Sequence, residues 1–176
     1  MTRRSYVAFA LALAFALAVA IGVGAVHLIR LNPPPAGTLS PGDSVTVGKV
    51  DLAYGSWTTT ETIKGPKKDL PARDGAVWVI VTSQVGLHDD AVIREAACEA
   101  TLVSRGERWR ATREPLSALD LKNVTTDCNR TQEGKAATPG WRGEVTFYFH
   151  VPADRVDNAI VVVDFYATGD EVVIDR

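Results

Sequence analysis

The sequence has few of the residues from which active sites are most often built. Its 176 residues include only two cysteines, three histidines and one methionine. It contains neither the Gly-x-Ser-x-Gly turn of a serine hydrolase nor the His-Glu-x-x-His helix of a zinc protease, and it has no glycine-rich phosphate loop. The sequence therefore predicts no catalytic residue, no metal ligand and no cofactor.

An excess of charge of either sign is also missing. The chain has 19 basic and 21 acidic side chains, which give a formal net charge of −2 at pH 7. Proteins that bind nucleic acid neutralise phosphates with clustered lysines and arginines. No basic patch of that size occurs along this chain, so the sequence argues against a nucleic-acid partner.

Two small groups of polar residues deserve comparison with functional sites, and each has a simpler interpretation. His88 lies next to Asp89 and Asp90, with Glu95 nearby, but a metal site needs three or four converging ligands. We expect a solvated acidic turn there. Asp164 stands inside an apolar segment, where burial would raise its pKa. An edge position or a pairing with arginine is the expected arrangement for this carboxylate.

The chain does have one long apolar run at its start. No charged residue occurs from Tyr6 to Val26, and Arg3 and Arg4 precede the run. A helix of about 20 apolar residues spans the hydrocarbon core of a bilayer, which is about 30 Å thick. The sequence therefore predicts a transmembrane helix over residues 6–29 that acts as a signal anchor.

The charges that flank this segment predict its orientation. By the positive-inside rule, Arg3, Arg4 and the terminal amine keep residues 1–5 in the cytoplasm, so the C-terminal part of the chain should lie outside. The small residues Val23-Gly24-Ala25 leave a cleaved signal peptide and a secreted domain open as the alternative. Against cleavage, the apolar run is longer than that of a signal peptide and continues past these residues.

The rest of the chain divides into a spacer and one domain. Consecutive prolines at Pro33, Pro34 and Pro35 favour an extended polyproline segment. Residues 30–42 are therefore predicted to be a proline-rich spacer. Residues 43–176 are numerous enough for one domain with a substantial hydrophobic core.

Alternation of apolar and polar residues predicts that this domain is all-β. Residues 44–52 alternate with a phase shift at Gly48, which indicates a β-bulge, and residues 76–82 are apolar on both faces, as in a central strand. Further strands are predicted at 96–103, 108–110, 144–151, 160–166 and 172–174. Only 115–121 has the pattern of a turn or two of helix. Short strands at this spacing indicate a β-sandwich.

Cys98 and Cys128 both lie in the part of the chain predicted to be exported. An even number of cysteines outside the cell indicates a disulfide. Such a bridge would close a loop of about 30 residues and would stabilise the fold by roughly 3.6 kcal/mol in the chain-entropy model. Two free, buried thiols are the alternative.

The chain has four tryptophans. Trp78 falls in the predicted central strand. Trp57, Trp109 and Trp141 lie near predicted strand ends, where aromatic residues often serve at protein interfaces. These three are the candidate interaction residues, and packing beneath loops is the alternative.

The segment Pro139–Pro152 combines a proline-glycine pair, a further glycine and an alternating strand that ends in Val-Pro. Together with the strands at 45–48 and 77–81, it resembles the telokin-like, immunoglobulin-like extracellular domains of Gram-positive bacteria. The resemblance covers most of Leu39–Ile174. It implies an immunoglobulin-like antiparallel β-sandwich outside the cytoplasm and transfers no catalytic residue. The chain lacks the lipobox cysteine by which many such proteins are lipidated.

The sequence thus leads to one function and two alternatives. We predict a non-enzymatic protein that is anchored by its N-terminal helix and whose extracytoplasmic domain binds an envelope protein through a sheet face or edge. A domain that binds a small molecule, an ion or a cell-wall component, anchored or secreted, is the first alternative. An enzyme is the second, and it would require His88 or His150 to meet acidic residues in a cleft.

Overall fold

The computed structural model describes residues 13–21, 34–122 and 124–176. The chain divides into two units, Met1–Pro34 and Pro35–Arg176. Residues 13–21 are helical and fall inside the predicted transmembrane segment, whose other residues lie outside the described ranges, as do residues 1–5. No helix among the described residues is both long and apolar enough to cross a bilayer.

The unit Pro35–Arg176 is a β-sandwich, as the alternating pattern predicts. The strands that the structure describes are β1 (Gly37–Leu39), β2 (Ser44–Val47), β3 (Val50–Thr60), β4 (Thr62–Ile63), β5 (Leu70–Pro71), β6 (Ala76–Leu87), β7 (Cys98–Ser104), β8 (Glu107–Arg110), β9 (Arg142–Pro152), β10 (Ile160–Phe165) and β11 (Asp170–Ile174). One sheet has five strands in the order β1-β11-β10-β7-β8, and the other has four in the order β2-β3-β6-β9. Strands β4 and β5 form a separate ribbon. The predicted central strand is therefore correct, since β6 lies between β3 and β9.

A single α-helix, α1 (Glu114–Leu119), is present within this unit's described residues, together with 3-10 turns at Ile93–Ala96 and Ala153–Arg155. Helix α1 lies in the connection between β8 and β9, where the sequence predicts a turn or two of helix. Pro115 occupies its first turn, where the missing N–H costs nothing. The helix ends at Asp120, whose φ of 52° is left-handed.

The main core lies between the two large sheets and follows the predicted alternation. The inward residues of β9 are Val145, Phe147, Phe149 and Val151, each at most 1% exposed. A second, smaller cluster lies on the opposite face of β6 and β9, where α1 and the β4–β5 ribbon cover Trp78 and Tyr148. The four-stranded sheet is therefore covered on its inner face and on only part of its outer face.

The predicted spacer ends earlier than the proline pattern indicates. Strand β1 falls within residues 30–42 and pairs in parallel with β11. A Cβ at Gly37 would lie 2.6 Å from a methyl group of Val45, so β1 packs closely on the neighbouring sheet. Residues 34–36 precede this strand, and 30–33 lie outside the described residues.

The glycine at position 48 forms a turn and not the predicted bulge. Val47 pairs directly with Val50, which leaves Gly48 and Lys49 as a two-residue hairpin turn. The φ of Gly48 is 57°, and tight hairpin turns of this length require positive φ values. The phase shift in the sequence thus marks the boundary between β2 and β3.

The bulge occurs instead at Gly55, within β3. The pairing with β6 shifts between Tyr54 and Ser56. A Cβ at Gly55 would lie 2.6 Å from the carbonyl oxygen of Thr82, so a larger residue does not fit. The extra residue changes the phase of the strand, and as a result both Tyr54 and Trp57 pack against the main core.

Candidate functional site

The outer face of the five-stranded sheet carries an apolar stripe formed by Val103, Ile160, Val162 and Val173. Val103 pairs with Ile160 across β7 and β10, and Val162 pairs with Val173 across β10 and β11. Val162 is 8% exposed and the other three are half-buried. None of the four belongs to either core cluster. The apolar stripe is therefore a surface that the sandwich does not use for its own core.

Three carboxylates form an acidic row across the same face. Asp164 pairs with Glu171 on one side and with Glu99 on the other. Burial, followed by the charge and hydrogen bond of Glu171, raises the pKa of Asp164. Glu99 accepts a hydrogen bond from the hydroxyl of Tyr166 and forms an ion pair with Arg110, with 3.4 Å between Nε and Oε1. The sequence predicts an edge position or a pairing with arginine for Asp164. The structure instead places it on β10, between β11 and β7, with a carboxylate on either side.

We expect Asp164→Asn to stabilise the protein at pH 7 by about 0.5 kcal/mol, because like charges directly opposite each other on a sheet are destabilising. The raised pKa means that the folded state binds this proton more tightly than the unfolded state does. The destabilisation caused by the Asp164 charge is therefore absent at low pH. It develops as the pH rises from the ordinary pKa of 3.8 through the raised pKa of the folded state. Urea unfolding at pH 3 and pH 7 measures the difference. A gain of equal size at both pH values, or the same gain in the loop control Asp157→Asn, would contradict this prediction.

A polar groove of about 500 Å³ lies on the uncovered part of the outer face of the four-stranded sheet. Its polar and small lining residues are Ser44, Thr46, Asp51, Ala53, Gln84, Gly86 and Arg142. Gly86 forms the floor between Asp51 and Arg142, since a Cβ there would lie 3.6 Å from the Cβ of Asp51 and 3.7 Å from the Cγ of Arg142. The absence of a side chain at position 86 thus leaves space between a carboxylate and a guanidinium.

Asp51 is the centre of the hydrogen bonds in this groove. The hydroxyl of Thr46 donates to Oδ1 at 2.7 Å, and Nε2 of His88 lies 3.1 Å from the same oxygen. The bond from Thr46 is the largest cause that lowers the pKa of Asp51, and His88 and Arg142 act in the same direction. Asp51 therefore remains an anion at neutral pH.

The acidic turn after His88 does not assemble a set of metal ligands. Asp90 forms an ion pair with Lys49 at 2.9 Å, and Glu95 accepts a hydrogen bond within its own 3-10 turn. No group of three His, Cys, Asp or Glu side chains in 13–21, 34–122 and 124–176 is placed to hold a metal ion. His88 meets Asp51 at the groove. His150, which lies on strand β9, packs on Trp78 with ring centroids 4.8 Å apart.

The three candidate interaction tryptophans Trp57, Trp109 and Trp141 are half-buried and pack against the main core. Trp109 pairs with the buried Leu102. The ring of Trp141 lies over Gly143, where a Cβ would approach it to 2.1 Å. The contacts of these three tryptophans are thus those of residues that pack within the domain. Their role in binding a partner stays a prediction.

Cys98 and Cys128 form the predicted disulfide, with their Cα atoms 5.7 Å apart. The bridge joins the start of β7 to the connection between β8 and β9. Cys128 is completely buried in the main core, and Cys98 is half-buried beside it.

Comparison with known proteins supports the fold and identifies no family. No protein-family model and no curated protein matches the chain. The crystal structure of an uncharacterised β-sandwich protein from Clostridium difficile 630 is similar over 78% of this chain and 92% of that chain, with a TM-score of 0.51 and 11% identity. A conserved hypothetical protein from Bacillus anthracis is similar over 69% and 84%, with a TM-score of 0.49 and 13% identity. The telokin-like family is not confirmed, although the first similarity supports a β-sandwich.

Proposed function

We propose that the chain is a non-enzymatic, membrane-anchored protein whose extracytoplasmic, immunoglobulin-like β-sandwich binds another protein of the cell envelope. The apolar stripe of Val103, Ile160, Val162 and Val173 is the observation that carries this proposal. Contiguous apolar surface surrounded by polar residues is typical of protein interaction sites, because it gains free energy only when a partner covers it.

Charged residues around the apolar stripe support a specific partner. The acidic row crosses the face at one end, and Arg108 lies opposite Val103 on the edge strand β8. Charges at the rim of an interface contribute chiefly to orientation and to discrimination between partners. A partner that fits this face therefore presents apolar side chains at its centre and complementary charges at its rim.

Two features of the chain support the proposed location. The apolar run at 6–29, with Arg3 and Arg4 before it, is typical of an uncleaved signal anchor. The disulfide favours an extracytoplasmic domain, because disulfides persist mainly in oxidising compartments. The resemblance to immunoglobulin-like domains of Gram-positive bacteria agrees with the same location.

A photocrosslinking amino acid at position 103 tests the proposed interaction. In cells that produce the full chain, we expect illumination to give one adduct with an envelope protein. The same amino acid at Thr58, which is exposed on the outer face of the other sheet, should give none. Adding Val173→Lys should remove the adduct and change the unfolding temperature by about 3 °C or less, because Val173 is only half-buried and lies outside both core clusters.

The matched control for this experiment is Thr58→Lys, which adds the same charge to the other sheet and should leave the adduct intact. An adduct that survives Val173→Lys would contradict the proposal. So would an adduct of the same size from position 58, since it would indicate contact without a preferred face.

Ligand binding in the polar groove is the second candidate function. Its volume of about 500 Å³ lies within the range of small-molecule sites, about 300–1,000 Å³. Asp51 and Arg142 on either side of Gly86 offer opposite charges to a polar ligand. Failure of the adduct at position 103, together with thermal stabilisation of the chain by a soluble cell-wall fragment that Arg142→Ala abolishes, would assign the function to this groove.

A further inference from the structure

The connection between β8 and β9 runs along the open edge of the four-stranded sheet. Strand β9 is the last strand of that sheet, so one side of its backbone faces away from β6. The connection bonds to this side at two points. The N–H of Thr112 donates to the carbonyl of Tyr148 at 2.8 Å, and the N–H of Thr146 donates to the carbonyl of Thr125 at 2.8 Å.

The second contact point is fixed by a short segment, residues 125–128, which we name the clasp. Thr125 is 5% exposed, and its hydroxyl oxygen accepts a hydrogen bond from the N–H of Asp127 at 3.1 Å. The carboxylate of Asp127 pairs with Arg113. Cys128 ends the clasp and is bridged to Cys98. The disulfide thus secures the contact between Thr125 and the edge of β9.

The edge next to the clasp has unused capacity for hydrogen bonds. Because Thr146 donates away from β6, alternation places the backbone groups of Glu144 and Arg142 on the same outer side. Within the described residues, no backbone or side-chain hydrogen bond engages these outer groups. The turn that contains Gln132 and Glu133 lies beside them and lines a shared cleft, so the connection also obstructs this part of the edge.

We propose that the edge of β9 around Gly143 is a strand-docking site for a second copy of this chain, and that the clasp closes it while the disulfide is intact. This inference concerns an edge and not the face proposed above, so the two stand or fall separately. A dithiol reductant would break the bond between the sulfurs of Cys98 and Cys128. Two electrons and two protons convert them to thiols, and the reductant becomes a disulfide. Thr125 can then leave Thr146.

Charge complementarity favours a second copy as the occupant. Antiparallel pairing of β9 with itself, centred on Gly143, places Arg142 of one copy opposite Glu144 of the other, and such pairs stabilise a sheet. Arg142 forms no ion pair within the described residues. The backbone groups of both residues would exchange main-chain hydrogen bonds in this register.

The oligomeric state of the full-length chain in a mild detergent tests the proposal. Light scattering should show a monomer for the oxidised chain and a dimer after dithiothreitol or in Cys98→Ser/Cys128→Ser. Adding Glu144→Pro should restore the monomer, because proline lacks the outward N–H and loses no backbone hydrogen bond to β6; the side-chain bond from Gln84 is lost in the alanine control as well. The matched control Glu144→Ala keeps that N–H and should retain a weaker dimer.

Amide hydrogen exchange at a low chain concentration separates opening of the clasp from unfolding. Reduction should accelerate exchange at Thr146 at least tenfold and leave Phe147, whose N–H faces β6, protected. Three results would overturn the proposal: a reduced chain that stays monomeric, association that persists in Glu144→Pro, or equal acceleration at Thr146 and Phe147.

Discussion

The Cys98→Ser/Cys128→Ser variant should unfold with a free energy about 3.6 kcal/mol lower than that of the oxidised protein. The bridge joins residues 30 positions apart, and a closed loop of that length restricts the unfolded chain by this amount in the chain-entropy model. Urea unfolding monitored by tryptophan fluorescence measures the difference. The corresponding fall in the unfolding temperature is about 10 °C.

The control for this prediction is the unaltered chain after reduction, which removes the bridge without placing a hydroxyl at the buried position 128. The two forms should agree within about 1 kcal/mol, the scale of one buried polar group. Equal stability of the oxidised and reduced chains would mean that the bridge does not stabilise the sandwich. The free energy of unfolding of a domain is typically about 5–15 kcal/mol. We therefore expect the reduced sandwich to remain folded.

Trp78→Ala should lower the free energy of unfolding by about 3–5 kcal/mol, the usual range for truncating a large buried aromatic side chain. Trp78 is 2% exposed and packs in the smaller cluster with Ile63, Leu119 and Tyr148. Its removal leaves a cavity beneath both α1 and the β4–β5 ribbon. Besides a lower midpoint in urea, we expect proteases to cut within residues 114–122 much faster than in the unaltered chain.

Trp78→Phe is the matched variant for this position. The Nε1 of Trp78 is buried and has no hydrogen-bond partner among the described residues, so phenylalanine removes an unsatisfied donor while it keeps most of the apolar contact. We expect Trp78→Phe to lower the free energy of unfolding by less than half as much as Trp78→Ala does. Equal losses for the two variants would indicate that the indole contributes by something other than filling this cluster.

Strand β9 shows how far alternation alone can predict a structure. Its apolar residues recur at every second position from Val145 to Val151, and the structure buries all of them in the main core. The opposite face carries Thr146, Tyr148 and His150, which the pattern also separates correctly. Such prediction succeeds where one face is uniformly apolar and the other is mixed, because only one register then buries the apolar set.

The apolar stripe could not be predicted in the same way. Strand β10 is apolar on both faces, and its sequence therefore predicts burial without saying which residues face outward. The available signal is Asp164, which shares its parity with Ile160 and Val162 and so marks the outer face. Without the pairing to β7 and β11, that single carboxylate does not distinguish a surface stripe from a second core.

The position of Trp57 depends on a feature that the sequence hides. Counting alternate residues from Asp51 places Trp57 on the outer face, and the bulge at Gly55 reverses this. Gly48 and Gly55 both interrupt an alternating segment, and only the pairing of Val47 with Val50 shows that the first is a turn. Whether a glycine marks a turn or a bulge depends on strand partners that are distant in sequence. The local pattern alone therefore does not distinguish the two.

The parallel pair of β1 and β11 has a consequence for the order of folding. Gly37 pairs with Val172 and Leu39 with Ile174, so the first strand of the sandwich meets its partner only when the last strand is available. Contacts between such distant segments slow folding, because loop entropy is lost before they form. During synthesis, β1 would therefore remain unpaired until nearly the whole domain had emerged from the ribosome, and the five-stranded sheet would be completed last along this edge.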